Sequence, residues 1–184
     1  IARLVNNCKK ERLNLSFFEF FFKEIISRDA TNDDFNARQM GAIYQISCLF
    51  EQSCVKDSSE GISQIFNNSN IDLEQFFIKF QHKIKLSIHK IFAEEAIHIL
   101  HSILKLHHTK YDCMTKSNNN SKSLVVMLCE KIVQTSQIES LPKEFRLKFN
   151  EIRVMLKGRG DLLVELKNVL DEEEFELFVC GGGR

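Results

Sequence analysis

The chain has 184 residues, with 25 Lys and Arg balanced against 25 Asp and Glu, 16 Phe, no Trp and a single Pro. One domain of this length buries about two-thirds of its unfolded surface, and the zero net charge excludes a global field drawing in nucleic acid or an anionic membrane. One proline and seven glycines, three of them at 181–183, leave few interruptions and favour long helices over a turn-rich β fold.

In chain order, the first helical signal is Ser16 followed by Glu19, a capping box in which each side chain satisfies the other's free N–H. It opens the run FFEFFFKEII, where Phe17, Phe18, Phe21, Phe22, Ile25 and Ile26 share one wide apolar face. That face is expected in the core; any exposed part of it, with Phe17, Phe18 and Phe21 foremost, becomes an anchor for a partner. The polar segment Asp29–Asp34 ends this helix and starts the next, whose apolar residues are Phe35, Met40, Ile43, Ile46, Phe50 and Cys54. Gly41 within it costs about 1 kcal/mol relative to Ala and points to close helix packing.

After a loop at Lys56–Glu60 and a short helix at Ile62–Phe66, Asp72 with Gln75 caps a helical stretch over residues 73–108. The tract TKSNNNSKS, 115–123, reads as an exposed loop. Helix resumes over Leu124–Gln134. Pro142 suits a first helical position, and Phe145, Phe149, Ile152 and Leu156 form its apolar line. Gly158 offers a stop and Asp161 an N-cap for a last amphipathic helix bearing Leu162, Leu163, Leu166, Val169 and Leu170. No fixed repeat period emerges. The expectation is an all-α fold of about seven helices without a sheet, an irregular bundle or HEAT-like stack. It forms one domain over 1–180, with a flexible tail at 181–184. The chain opens at Ile1, so an excised or processed segment is expected. No signal peptide is visible, and no apolar run nears the roughly 18 residues of a membrane span.

The stretch HKIFAEEAIHILHSILKLHHTK, 89–110, holds five of the six histidines. On a helix turning about 100° per residue, Glu94, His98 and His101 are successive neighbours, a feasible arrangement for three metal ligands. They share the polar side with Lys105 and His108, opposite Phe92, Ala93, Ala96, Ile97, Ile99, Leu100, Ile103 and Leu104, and are therefore expected to face solvent. Lys105 would repel a cation, and HILH lacks the glutamate of HExxH, so no metal and no cofactor is expected. Upstream, Leu73, Phe76, Phe77, Phe80, Ile84, Ile88 and Ile91 form an apolar line rotated by roughly 130° from the downstream one. A single helix over 73–108 would run about 54 Å. Either the helix breaks near Lys90–Ala93, or successive sides meet different neighbours.

Charge is unevenly placed. Lysines including Lys79 and Lys83 crowd residues 79–116, while Glu172 and Glu173 belong to the acidic end. These two patches suit docking on each other or on partners, against the simpler alternative of two solvated faces. Arg159-Gly160-Asp161 is an RGD tripeptide, recognisable by integrins when displayed on a loop, although a helix stop and cap also explain it. Phosphate-binding, dinucleotide-binding and nucleophile-elbow motifs are absent. The six cysteines, at 8, 48, 54, 113, 129 and 180, form no CxxC pair. They permit three disulfides in a secreted protein, a reading that sequons at Asn14, Asn67 and Asn119 favour. Cys48, Cys54 and Cys129 lie in apolar helical stretches where a free thiol serves as a small hydrophobe, which favours a reducing compartment.

Two segments, FFKEIISRDATNDDFNARQMGAIYQISCLFEQS and DLEQFFIKFQHKIKLSIHKIFAEEAIHILHSIL, resemble the helical-repeat region of the animal meiotic double-strand-break formation accessory proteins. The resemblance spans about residues 18–104 and rests on hydrophobic spacing and a few shared letters. It implies an interaction protein, not an enzyme, that partners a topoisomerase-like cleavage machinery on chromosome axes, and it transfers no functional residue. The expected function is thus a non-enzymatic, intracellular and nuclear helical scaffold for meiotic recombination. It would bind other protein subunits, without sequence-specific nucleic acid, membrane or small-molecule substrate. The alternative is a secreted, disulfide-bonded helical ligand of the cytokine type.

Overall fold

The computed structural model describes residues 73–106, 122–135 and 138–179 and, singly, Phe20, Glu24, Gln39, Ala42 and Ile43; side chains at 73–77, 79, 80, 106 and 135 are outside this set. All six α-helices among the described residues run without any strand: α1 Leu73–Ser87, α2 Ala93–Leu106, α3 Leu124–Thr135, α4 Lys143–Lys157, α5 Gly160–Lys167 and α6 Glu172–Val179. Two 3₁₀ turns, Ile88–Lys90 and Ile138–Ser140, join neighbours. The fold is all-α across these residues. The expected face of Phe17, Phe18 and Phe21, the packing at Gly41 and the loop at 115–121 lie outside the described residues. Phe20, on the side away from that face, is 64% exposed, and Ile43 belongs to the buried apolar cluster.

The change of buried side near Lys90–Ala93 is a break in the helix. After the turn Ile88–Lys90, Ile91 is extended at φ −84°, ψ 134°, and its N–H reaches only back to the Ile88 carbonyl at 3.2 Å. Phe92 then caps α2: its carbonyl accepts from the Ala96 N–H at 2.9 Å, and its own N–H donates to the Glu95 carboxylate at 3.1 Å. Glu95 thus supplies the reaching-back half of a capping box, while Ile91 is buried at 1% exposure. One extended residue resets the helical phase, and that accounts for the rotated apolar line.

α2 lies at the centre, with its main contacts to α3 on one side and α4 on another. Ala96, Ile97, Ile99, Leu100, Ile103 and Leu104 pack with Val125, Leu128, Cys129 and Ile132 of α3 and Phe149, Ile152 and Leu156 of α4 in one apolar cluster. Burial covers more of α2 than its apolar side, for Ser102 is also buried and no residue from Ala93 to Lys105 is fully exposed.

Ser123 sits last in the tract expected to be an exposed loop, but it is buried. Its hydroxyl caps α3 by accepting from the Val126 N–H at 3.3 Å, and its own N–H donates to the Glu165 carboxylate of α5 at 2.9 Å. A serine among polar residues reads as loop until the following helix claims it as an N-cap. Pro142 stands one place earlier than expected, as the N-cap of α4, where its carbonyl accepts from Phe145 and Arg146.

Asp161 is not the N-cap of the next helix; Arg159 is, and Asp161 lies in the first turn of α5. The carboxylate instead takes a two-point grip from Arg159, with Nε–Oδ1 at 3.0 Å and Nη2–Oδ2 at 2.8 Å. That pairing holds the Asp161 carboxyl below its usual range and closes the RGD tripeptide on itself. Gly158 ends α4 at φ −77°, a conformation open to any residue, so glycine's special freedom is not what stops the helix.

The apolar periodicity runs out at Leu170, and α6 lies beyond the last helix it predicts. The local signal for α6 is Asp171-x-x-Glu174, a reciprocal cap: the Glu174 N–H donates to Asp171 Oδ1 at 2.8 Å, and the Asp171 N–H donates to Glu174 Oε2 at 3.1 Å. Phe178 fastens the helix to α4 through an edge-on contact with Phe149, the ring centroids 5.3 Å apart. Arg153 lies over the Phe149 ring at 4.6 Å and donates from Nε to the Leu177 carbonyl at 2.7 Å, satisfying the end of α6.

Candidate functional site: the polar seam between α2 and α4

Glu94, His98, His101 and Lys105 recur at three- and four-residue steps on α2, a spacing that predicts a solvent face. His98, His101 and Lys105 are instead met by α4, which presents Glu144, Phe145, Lys148 and Glu151 at the same steps. His98 meets the edge of Phe145 with centroids 4.9 Å apart, and its Nδ1 accepts from Lys148 Nζ at 2.7 Å. Lys148 also pairs with Glu144 at 3.1 Å. One turn on, His101 Nε2 lies 2.7 Å from Glu151 Oε2, and Lys105 Nζ approaches the same oxygen at 3.3 Å. The His101 side chain is only 12% exposed. Periodicity detects polarity, and here polarity on α2 is matched by polarity fifty residues later in the chain.

The electrostatics follow from that burial. His98 is pushed down to about 4, first by desolvation and then by the Lys148 ammonium, so the ring is neutral and its Nδ1 is the acceptor. His101 is also lowered, again by desolvation first, although its hydrogen bond to Glu151 opposes the shift. Glu151 is held below the usual carboxylate range by the His101 hydrogen bond, with Lys105 adding to it. Its carboxylate fixes the His101 tautomer with the proton on Nε2.

The seam brings His98 and His101 together with Lys148 and Glu151, and leaves Glu94 outside it. Glu94 makes no hydrogen bond or ion pair to either histidine among the described residues. Among those residues no three His, Cys, Asp or Glu side chains converge on a position that could hold a metal. The lone pair a cation would need on His98 is already met by an ammonium. Lys148 and Glu151 carry no signal of their own in the sequence beyond falling on the α4 face one step from Phe145 and Phe149.

The other expected partner residues are dispersed. Lys83 is half-buried on α1, the Lys79 side chain lies outside the described set, and Glu172 and Glu173 are exposed in the first turn of α6. Carboxylates there favour the positive end of the helix. Cys129, midway along α3, is a free and fully buried thiol whose pKa burial raises, keeping it protonated and inert. No helix among the described residues is long and apolar enough to cross a membrane. Comparison with known proteins finds no matching family model, no matching curated protein and no matching solved structure.

Proposed function

We propose that this chain is a non-enzymatic α-helical scaffold that binds other protein subunits inside the cell. The observation that carries the reading is the division of its side chains. The histidines of α2 are engaged with α4, while Leu86, Phe92, Leu147 and Val154 are each more than half exposed. Large aliphatic and aromatic groups on the outside of a well-packed helical body suit protein contacts better than small-molecule chemistry. The architecture proposed is an irregular bundle or HEAT-like stack, supported by the placing of α2 between α3 and α4.

The intracellular location is supported by Cys129, whose buried free thiol removes one cysteine from any three-disulfide framework. Membership of a nuclear, chromosome-associated complex initiating meiotic recombination belongs to the same proposal, and its support is the resemblance over residues 18–104.

Affinity capture of the full chain followed by mass spectrometry of retained proteins tests the scaffold. Reproducible protein partners are expected, and an empty bait overturns it. Chromosome-axis proteins among them would support the meiotic role; their consistent absence would remove it. Thiol counting under denaturing, non-reducing conditions separates the locations: six free thiols exclude the secreted ligand, and three disulfides exclude the nuclear scaffold.

A further inference from the structure

The outward side of α4 differs in kind from its inward side. On the helical projection Lys143, Arg146, Leu147, Asn150, Val154 and Lys157 fall within an arc of about 100°, opposite Phe149, Ile152 and Leu156. All six are exposed, Leu147 at 54% and Val154 at 71%. Leu147 and Val154 stand seven positions apart, a ridge of two aliphatic side chains spaced about 10 Å along the axis. Lys143, Arg146 and Lys157 line its flank away from α2, and none of the three has an ion pair among the described residues. The carboxylates of α4, Glu144 and Glu151, lie on the flank toward α2, where Lys148, Lys105 and His101 engage them.

We propose that this outward face docks an acidic amphipathic helix of a partner protein, which seats aliphatic side chains on Leu147 and Val154 and pairs carboxylates with Lys143, Arg146 and Lys157. The inference rests on the scaffold reading and supplies it with a surface and a partner chemistry. An apolar line with a charged margin is the anatomy of a protein interface, and a partner helix laid beside such a line packs its own side-chain ridges against it through residues at i, i+3, i+4 and i+7. Three cations beside an aliphatic ridge are too few, and too interrupted, for a phosphate backbone, and the whole chain balances 25 basic against 25 acidic residues. An interfacial membrane helix needs a broad apolar face, whereas this one has two aliphatic groups in a narrow line. The free charge on the flank selects a carboxylate-bearing partner and opposes a basic one.

The probe is a synthetic peptide of about 18 residues, five helical turns, with leucines seven apart and glutamates along one flank. Its binding to the full chain is read by fluorescence anisotropy, beside a scrambled peptide of the same composition, duplex DNA and phosphatidylserine vesicles. Saturable, salt-weakened binding of the ordered peptide alone is expected. Lys143→Glu, Arg146→Glu and Lys157→Glu together should weaken it at least about tenfold, and a peptide with lysines for glutamates should then bind the reversed chain. That exchange shows that the triple variant is folded. Leu147→Gln with Val154→Gln should weaken both pairs. Equal binding of the scrambled peptide, indifference to the reversal, or binding of DNA or vesicles that the reversal abolishes overturns the proposal. So does self-association abolished by the reversal, which would give the face to a second copy. If the reversed chain retains every captured protein partner of the native one, the α4 face falls while the scaffold stands; if neither retains any, the scaffold itself falls.

Discussion

At His98 the balance between burial and charge sets a pH dependence. The folded chain keeps this ring neutral with a pKa of about 4, whereas the unfolded ring titrates near 6.5. As pH falls from 6.5 towards 4, the unfolded chain takes up a proton that the folded one refuses, so stability is full above that window and declines through it. His101, also lowered, adds in the same direction. Glu151, lowered from 4.5, stabilises the ionised seam above that value and loses its contribution as pH drops further. A tenfold difference in proton affinity between the folded and unfolded ring is worth about 1.4 kcal/mol, and solvent reaching the seam reduces the His98 contribution to on the order of 1–2 kcal/mol. Urea unfolding between about pH 4 and pH 7 should therefore show stability falling with acidity. His98→Asn, which keeps an acceptor for Lys148 without titrating, should flatten part of the slope. An unchanged slope in His98→Asn would remove His98 from the account.

Single helices depend on their ends. α6 has eight residues and is too short to persist without its cap and its docking contact. Asp171→Ala removes the acceptor for the Glu174 N–H and should cost about 1 kcal/mol by denaturant titration. At the start of α5 the effect should run the other way. Gly160 is helical, exposed, and has nothing within 4 Å of an added Cβ, so Gly160→Ala should stabilise by about 0.4–1 kcal/mol through the unfolded chain. A fall in melting temperature for Gly160→Ala would count against the helical geometry at that position. The boundaries of α3 and α4 are legible in the sequence within a residue, because Pro142 and the Leu124 apolar run are local signals. The capping roles of Ser123 and Asp171 are not. Both are short polar side chains that could equally have been spent in a turn.

Across the molecule, α4 joins two bodies of contact: its Phe145–Lys148–Glu151 side meets α2, and Phe149 and Arg153 meet α6. Phe178 is fully buried against Phe149, so Phe178→Ala should cost about 3–5 kcal/mol and release α6 before the rest. Hydrogen exchange should then show amides 172–179 exchanging fast while α2 and α3 stay protected. Uniform loss of protection would mean that α6 and the central helices unfold as one unit.

Helical periodicity and end signals in the sequence determined most of what is local among the described residues: their all-α character, an apolar side for α2 and α4, and a reset of phase near Lys90–Ala93. They are properties of neighbours along the chain, fixed by about 3.6 residues per turn. The tertiary structure alone decided that the reset is a break at Ile91, and that His98 and His101 of α2 face α4 rather than water. A histidine reads the same whether it meets solvent or a lysine fifty residues away. Only the packing of α4 over α2 supplies Lys148 and Glu151, turning an apparent wet face into a joint.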